Sequence, residues 1–439
     1  MLTRLYLLSE QKPKLDMDSW AWRNLCNNYH PTFDAFYVRP SLYQEYLKDD
    51  AYTGMTWQRT NNISKGAFDD DESFTAFAAH AAATSDDLAQ VNSVEGWFDK
   101  HGNIRDLTPL KYTAIDSLSR ATLAPLTQLE TIALPESLTA IEDGAFTAAA
   151  NLRYVDMLAC DSTVMIDRMK NGGLKRMGIN TDQTLVYVPQ QYGETDETNV
   201  VWGREGSLQA NTYRLVDGLD YNVPYTFQTQ HVRNSRKIAK SDKPYTLCLP
   251  YQMSVAGGAR LYALIDRSGA TLIFSETDGQ GEAMKPYLLL ADQNGIMLDS
   301  DQPQTIQASA GMHGEDAYVA GYVMRGTLKA IDNKTAADMG AQILQSDGKW
   351  HPVYSQTDDE KKAVIMPYRA YLLPSTHGAG TRMMSIKLIN NDGTTAIYSL
   401  DADTGDAEGE GWYTTDGRRL PAEPARHGVY IQQGRKVVK

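Results

Sequence analysis

The sequence LETIALPESLTAIEDGAF at residues 129–146 is followed at residues 152–157 by LRYVDM. The spacing L-x-x-I-x-L that opens the first segment returns as L-x-x-V-x-M in the second, at an offset of 23 residues. Residues 107–112 carry a related spacing, L-x-x-L-x-aromatic, 22 residues before the first segment. Alternate residues of a strand point to the same face, so each segment predicts a short strand with one apolar face. A unit this short cannot bury that face alone, and the pattern therefore predicts stacked repeats.

The apolar positions of this stretch predict one continuous core. Pro135 cannot donate a hydrogen bond to a neighbouring strand and is expected to end the first strand. A turn at Asp143-Gly144 would then bring Phe146 back towards the interior. The residues expected to be buried together are Ile132, Leu134, Leu138, Ile141, Phe146, Leu152 and Val155.

The segment 129–157 resembles the BspA-type leucine-rich repeat, whose units run L-x-x-I-x-L-P-x-S-V-x-x-I-G-x-x-A-F. The resemblance is close over this segment and looser over residues 90–190, and Glu142 stands where the repeat usually has glycine. It implies an exported or surface-attached bacterial protein that binds other molecules, without fixing the partner. TLCLPY at 246–251 and KPYLLL at 285–290 are similar to a β-domain that follows such repeats in exported proteins of Gram-negative gut bacteria.

Together these patterns predict an α+β repeat solenoid of the BspA-like leucine-rich-repeat kind, followed by an all-β sandwich-like domain. Many short apolar runs separated by Gly, Asp, Asn and Ser favour β-structure in the second half. Four parts are expected: a short leucine-rich-repeat-like block at 1–62, a helical cap with the solenoid at 63–212, the β-sandwich-like domain at 213–395, and an acidic linker with a C-terminal β-hairpin tail at 396–439.

Composition excludes several classes of function. The 439 residues carry a net charge of −13, which disfavours nucleic acid as a partner. No apolar run approaches the roughly 18 residues of a membrane span. Cys26, Cys160 and Cys248 are too few and too far apart for a disulfide framework or a metal or redox motif, and we expect them to be unpaired. Residues 1–8 are too short for a signal peptide, so export implies a signal that has been removed.

The sequence lacks common catalytic motifs such as G-x-S-x-G, H-E-x-x-H and the Walker loop. His313 begins the H-x-E of a zinc deaminase, but no P-C-x-x-C completes it. Asp299 and Asp301 could form half of a carboxylate pair, although an acidic turn explains them as well. The acidic segment 401–411 partly resembles a calcium loop, but Trp412 stands where the loop needs Glu, which favours a solvated linker. We therefore expect no catalytic residue, no metal and no cofactor.

These observations favour a non-enzymatic protein at the cell surface, in the periplasm or outside the cell, which adheres to or captures a protein or glycan. The repeats would present a broad face, on which Tyr112, Arg153 and Tyr154 are the candidate ligand contacts. Tyr154 alternatively packs between neighbouring repeats. Two other roles stay open: a structural spacer of the cell envelope, and a carbohydrate-active enzyme without a recognisable motif. An aromatic-lined groove within residues 213–395 would favour a glycan ligand.

Overall fold

A computed structural model divides the chain into two compact units, Met1–Tyr213 and Arg214–Lys439, which we call the first and second units. The finer division into four parts stays a prediction. Strands make up 35% of the structure and helices 14%. The residues that the structure describes are 4–12, 35–48, 63–255, 257–310, 312, 314–355, 362–375, 383–398, 412–414, 419–420, 424, 428–432 and 435–438.

The first unit consists of short strands joined by short helices. Its helices are α1 (Tyr43–Leu47), α2 (Asp71–Ala78), α3 (Ser85–Leu88), α4 (Arg120–Leu123), α5 (Thr163–Met169) and α6 (Gly173–Arg176), with 3-10 helices at Pro40–Leu42, Thr108–Tyr112 and Gln190–Tyr192. Its strands are β1 (Arg4–Leu7), β2 (Ala35–Val38), β3 (Ile63–Ser64), β4 (Asp106–Leu107), β5 (Ser117–Leu118), β6 (Thr131–Ala133), β7 (Ala140–Ile141), β8 (Tyr154–Asp156), β9 (Leu185–Pro189), β10 (Val200–Gly203) and β11 (Leu208–Leu215), whose last residues belong to the second unit.

Local hydrogen bonds fix where two of these helices begin. Asp70 caps α2 because its carboxylate accepts a hydrogen bond from the backbone N–H of Ser73. Thr84 and Asp87 form a capping box at α3, in which each side chain accepts from the backbone N–H of the other residue. These caps satisfy backbone donors that the first turn of a helix leaves unpaired.

Five strands of the first unit run parallel in the order β10–β9–β8–β6–β4, and β11 pairs antiparallel with β10. Ile132 lies beside Leu107 on one side and beside Val155 on the other, and Val155 lies beside Val186. All four side chains are buried, so equivalent positions form one apolar row across the sheet. Two smaller parallel sheets, β1–β2–β3 and β5–β7, complete the described strands of this unit.

The predicted core residues of the 129–157 stretch are confirmed as buried. All of them belong to one hydrophobic cluster: Ile132, Leu134, Leu138, Ile141, Phe146, Leu152 and Val155. The spacing of apolar residues therefore predicted burial correctly within this stretch.

The predicted fold class, an α+β repeat solenoid followed by an all-β sandwich-like domain, is wrong. The chain is a mainly β protein built from several sheets. The parallel strands of the first unit begin at residues 106, 131, 154, 185 and 200, so the interval between them changes from 25 and 23 to 31 and then 15 residues. A solenoid requires a regular interval, since each repeat stacks on an equivalent neighbour. The 23-residue period is not kept, and the antiparallel β11 ends the parallel series.

The second unit is dominated by strands, and the helix described in it is α7 (Asn333–Asp338). The strands are β12 (Phe227–Asn234), β13 (Lys237–Ile238), β14 (Tyr245–Leu247), β15 (Met253–Ser254), β16 (Ala259–Ser268), β17 (Thr271–Glu276), β18 (Gln280–Gly281), β19 (Tyr287–Ala291), β20 (Ile296–Met297), β21 (Gln304–Ile306), β22 (Asp316–Val319), β23 (Tyr322–Thr327), β24 (Ile331–Asp332), β25 (Gln342–Leu344), β26 (Trp350–Pro352), β27 (Ala363–Ile365), β28 (Arg369–Pro374), β29 (Ser385–Ile389), β30 (Thr395–Tyr398), β31 (Trp412–Thr414), β32 (Arg419–Leu420), β33 (Val429–Gln432) and β34 (Arg435–Val438).

Two larger sheets hold eleven of these 23 strands. One has the order β14–β19–β16–β17–β29–β30 and the other β22–β23–β28–β25–β26. Leu272 and Leu288 of the first sheet share a hydrophobic cluster with Met324 and Leu372 of the second. All five residues of β19 are buried, as expected for a strand covered on both faces. β12 pairs antiparallel with β21. The smaller sheets of this unit are β13–β20, β15–β18, β24–β27 and β32–β31–β33–β34.

Gly326 of β23 makes a close backbone approach in this unit. A Cβ added to Gly326 would overlap the Sγ of Cys248, which follows β14 directly. The absence of a side chain at 326 therefore makes room for the thiol.

The structure also shows where several other residues named in the sequence analysis lie. Cys160 and Cys248 are free thiols in the structure, and the prediction that all three cysteines are unpaired stays a prediction. Cys26, His313 and the acidic segment 401–411 lie outside the described residues. No helix within the described ranges is both long enough and apolar enough to cross a membrane.

Candidate functional site

The predicted contact residues Tyr112, Arg153 and Tyr154 lie in the first unit, on both sides of β6. Tyr112 ends the 3-10 helix that follows β4, and its side chain is 42% exposed, with the Lys111 Nζ 5.2 Å from its ring centroid. Arg153 precedes β8, and its backbone N–H donates to the carbonyl of Glu130. Tyr112 is thus the most accessible of the three.

Tyr154 is mostly covered. It is the first residue of β8 and lies beside Thr131 of β6 and Leu185 of β9. Burial raises the pKa of its phenol, and the nearby Asp106 and Asp156 raise it further. This position matches the alternative in which Tyr154 packs between neighbouring strands. A binding role for Tyr112, Arg153 and Tyr154 stays a prediction.

Asp299 and Asp301 belong to an ion-pair cluster with basic side chains. Asp299 accepts a hydrogen bond of 2.9 Å from the backbone N–H of Asn234. Asp301 lies 2.7 Å from Arg233 Nη1 and 3.2 Å from His231 Nδ1, and the hydrogen bond from Arg233 lowers the pKa of Asp301. These contacts agree with the alternative interpretation from the sequence, in which Asp299 and Asp301 belong to an acidic turn. Across the described ranges, no three His, Cys, Asp or Glu side chains are arranged to hold a metal ion.

A cleft of about 530 Å³ opens in the second unit, and we call it the Arg236 cleft. It lies among β14, the loop before β14, the turn after β25, and the strands β27 and β28. Among its lining residues Tyr245 is the single aromatic, so it is not the aromatic-lined groove that would favour a glycan. The lining consists of residues 236, 241–246, 343–346, 364–366, 369 and 370.

Arg236 is a partly buried cation on the wall of this cleft. Its Nη1 donates to the carbonyl oxygen of Thr246 at 3.3 Å, and its Cζ lies 5.6 Å from the Tyr245 ring centroid. No carboxylate is within salt-bridge distance of this guanidinium in the part of the chain that the structure describes. Burial, followed by the like charge of Arg369, lowers the pKa of Arg236 to about 10, while the negative charge of Asp217 acts in the opposite direction.

The backbone that carries Arg236 is firmly anchored. The Arg236 N–H donates to Asn234 Oδ1 at 2.9 Å. Asn234 is itself buried and donates through Nδ2 to the Tyr251 hydroxyl at 2.8 Å. The Tyr251 hydroxyl in turn donates to the carbonyl of Leu298 at 2.6 Å. This chain of hydrogen bonds holds the segment between β12 and β13, so Arg236 is presented by a rigid support.

Arg369 lines the same cleft but has a carboxylate partner. Its Nη1 and Nη2 donate to the two oxygens of Asp217 at 2.8 and 3.0 Å, a bidentate pair. Asp217 is held in place because its backbone N–H donates to the Ser235 hydroxyl at 2.7 Å. The cleft therefore contains two guanidinium groups, of which one is neutralised by a carboxylate.

The other walls combine an ordered polar loop with apolar side chains. Ser241 anchors the loop, since its N–H donates to the Ala291 carbonyl and its hydroxyl accepts from the Lys243 N–H, both at 3.0 Å. Leu344 and Val364 line the cleft, and Met366 is 40% exposed. The cleft thus places positive charge beside apolar surface.

No family model matches the chain, and no curated protein or solved structure is significantly similar to it. The site is therefore argued from its own geometry.

Sequence reasoning missed the Arg236 cleft, although one signal was present. Residues 233–243 contain five basic residues against one acidic residue, in a chain whose net charge is −13. Such a local reversal of charge is a pointer to an anion-binding surface. This basic run does not reveal that residues 343–346, 364–366, 369 and 370 complete the cleft.

Proposed function

We propose that the chain is a non-enzymatic capture protein, exported to the cell surface, and that its second unit binds an anionic ligand in the Arg236 cleft. The observation that carries the proposal is the Arg236 guanidinium, which is partly desolvated beside a second guanidinium and has no described carboxylate partner. A partly buried cation without a carboxylate of its own to supply negative charge is unfavourable, and the nearby Asp217 is already paired with Arg369. An anion in the cleft would supply that charge and accept charge-assisted hydrogen bonds from the fork of Arg236.

The geometry of the Arg236 cleft also favours an anion over a glycan as the ligand. Tyr245 and the Thr246 carbonyl hold the guanidinium in one orientation, so little side-chain freedom remains to be lost on binding. A glycan ligand is disfavoured relative to an anion, because sugar rings pack on aromatic surfaces and Tyr245 is the single aromatic lining residue.

The test is a thermal-shift assay on the intact chain with acetate, octanoate, phosphate, sulfate and glucuronate at constant ionic strength. We expect at least one anion to raise the melting temperature of the wild type and of Arg204→Gln, an exposed arginine outside the cleft that gives the same charge change. Arg236→Gln should lose at least ten-fold in affinity for that anion. An equal response of Arg236→Gln, or no response to any anion, would overturn the proposal; the latter result would favour a structural spacer.

A further inference from the structure

We infer that the anion taken by the Arg236 cleft is an organic monocarboxylate with an apolar body, an inference that rests on the proposed anion-binding function. The carboxylate would lie against Arg236, and the apolar body would cover Leu344, Val364 and Met366. Two sources share this chemistry: a free alkyl carboxylate, and the C-terminus of a peptide that ends in an apolar residue.

The charge of the cleft points to a single negative charge on the ligand. Arg236, Arg369 and Lys243 contribute three positive charges. Asp242 lines the cleft and Asp217 pairs with Arg369, so two negative charges stand against them and one positive charge is left. A monoanion balances that charge, whereas a doubly charged phosphate would add a negative charge beside Asp217.

The available hydrogen-bond donors also favour a carboxylate. The fork of Arg369 is occupied by Asp217 through both terminal nitrogens. The Arg236 guanidinium has one described acceptor, the Thr246 carbonyl at 3.3 Å. One guanidinium edge is the complement of one carboxylate, while tetrahedral phosphate or sulfate is usually held by several donors around it.

The apolar wall explains why the anion should carry a hydrocarbon part. Met366 is 40% exposed although it borders the cleft, and Leu344 and Val364 are only half-buried. Apolar side chains beside one charged group are typical of sites that bury the body of a small ligand and orient it with one polar group. Each methylene buried against this wall should raise affinity about four-fold until the wall is covered.

The experiment is calorimetric titration of the intact chain with acetate, butyrate, hexanoate and octanoate, with octanol and inorganic phosphate as controls. We expect affinity to rise from acetate to octanoate, and octanol and phosphate to bind at least ten-fold more weakly than octanoate. N-acetyl-Ala-Leu and its C-terminal amide distinguish the sources: binding of the free acid but not the amide, more tightly than octanoate, would identify a peptide C-terminus, and the reverse order would identify a free alkyl carboxylate.

Matched variants distinguish the contributions of the charged wall and the apolar wall to binding. Arg236→Gln should weaken the binding of every carboxylate at least ten-fold, while Met366→Ala should reduce the gain in affinity with chain length. Met297→Ala, a similarly exposed methionine outside the cleft, should behave as wild type. Carboxylate affinity without chain-length dependence would overturn the inference. If phosphate or sulfate bound in a way that needs Arg236 and no carboxylate bound, the monocarboxylate inference would be overturned but the proposed anion-binding function would stand. If no anion bound at all, both the inference and the proposed function would be overturned.

Discussion

The parallel sheet of the first unit and the Arg236 cleft of the second are assembled in opposite ways. In the sheet, Leu107, Ile132 and Val155 come from neighbouring strands and lie side by side in one buried row. In the cleft, Arg236 shares the lining with residues 343–346, 364–366, 369 and 370, which lie more than 100 residues farther along the chain. The sheet buries apolar side chains with apolar neighbours, whereas the cleft holds a cation whose neighbour carries the same sign. The first region thus stabilises the fold through apolar burial, whereas the second contains a guanidinium without a described carboxylate partner of its own.

The largest expected effect is in the first region. Phe146→Ala should cost about 3–5 kcal/mol of unfolding free energy, because Phe146 is buried in the main hydrophobic cluster and its removal leaves a cavity. Urea unfolding followed by fluorescence and circular dichroism would measure the loss. Val164→Ala, at a position that is 59% exposed, should change stability by less than about 0.5 kcal/mol. Equal midpoints for Phe146→Ala and wild type would contradict the assignment of Phe146 to the core.

Replacing the two arginines of the cleft should have different effects on the free energy of unfolding, and the larger of these is intermediate in size. Arg369→Gln should cost about 1–2 kcal/mol, because it breaks a partly exposed bidentate pair and leaves Asp217 without that partner. Arg236→Gln should stay within about 0.5 kcal/mol of wild type, since it removes a desolvated cation beside a like charge. The measurement is the shift in urea midpoint at pH 7. If Arg236→Gln were the more destabilising variant, Arg236 would be a structural residue and the contrast between the two regions would fail.

The smallest effect for a single residue concerns two buried thiols, Cys160 in the first unit and Cys248 in the second. Burial raises the pKa of Cys160 and the pKa of Cys248 to about 12, against about 8.5 for an unfolded thiol. Because the folded pKa is raised, this contribution to stability is fully present below about pH 8.5 and is lost as pH rises towards 12. Going from pH 7 to pH 9 should cost roughly 0.8 kcal/mol for each thiol.

Urea midpoints at the two pH values would check this, with Cys160→Ala removing one contribution. Both thiols should also resist iodoacetamide at pH 8 in the folded protein and react in urea, as read from peptide masses. Rapid labelling of Cys160 or Cys248 in the folded protein would show that the thiol is accessible and its pKa not raised.

Sequence reasoning succeeded where neighbouring segments decide the outcome. The apolar spacing around Ile132 and Val155 predicted burial, because both residues lie on strands whose register follows from one 23-residue offset. The fold class was wrong because the later intervals depend on how the chain closes around α5 and α6, which lie between β8 and β9. The spacing of one repeat carries no information about those intervals.

The candidate site was beyond local reasoning for a different reason. The basic run at 233–243 is visible in the sequence, but whether each cation is paired depends on distant residues. Arg369 is neutralised by Asp217, which is 152 residues away along the chain. Tyr154 illustrates the same limit in another way. The local pattern places it on a strand, but neighbouring strands determine how much of its side chain is exposed.

Because Gly326 lies so close to Cys248, the size of the residue at either position limits the size of the residue at the other. Evolution can enlarge neither side chain alone: a methyl group at 326 needs a smaller residue at 248, and a bulkier residue at 248 has no space beside the glycine backbone. In any set of homologous chains the two positions should therefore change together, and an alanine at 326 accompanied by a glycine at 248 would be the simplest joint replacement.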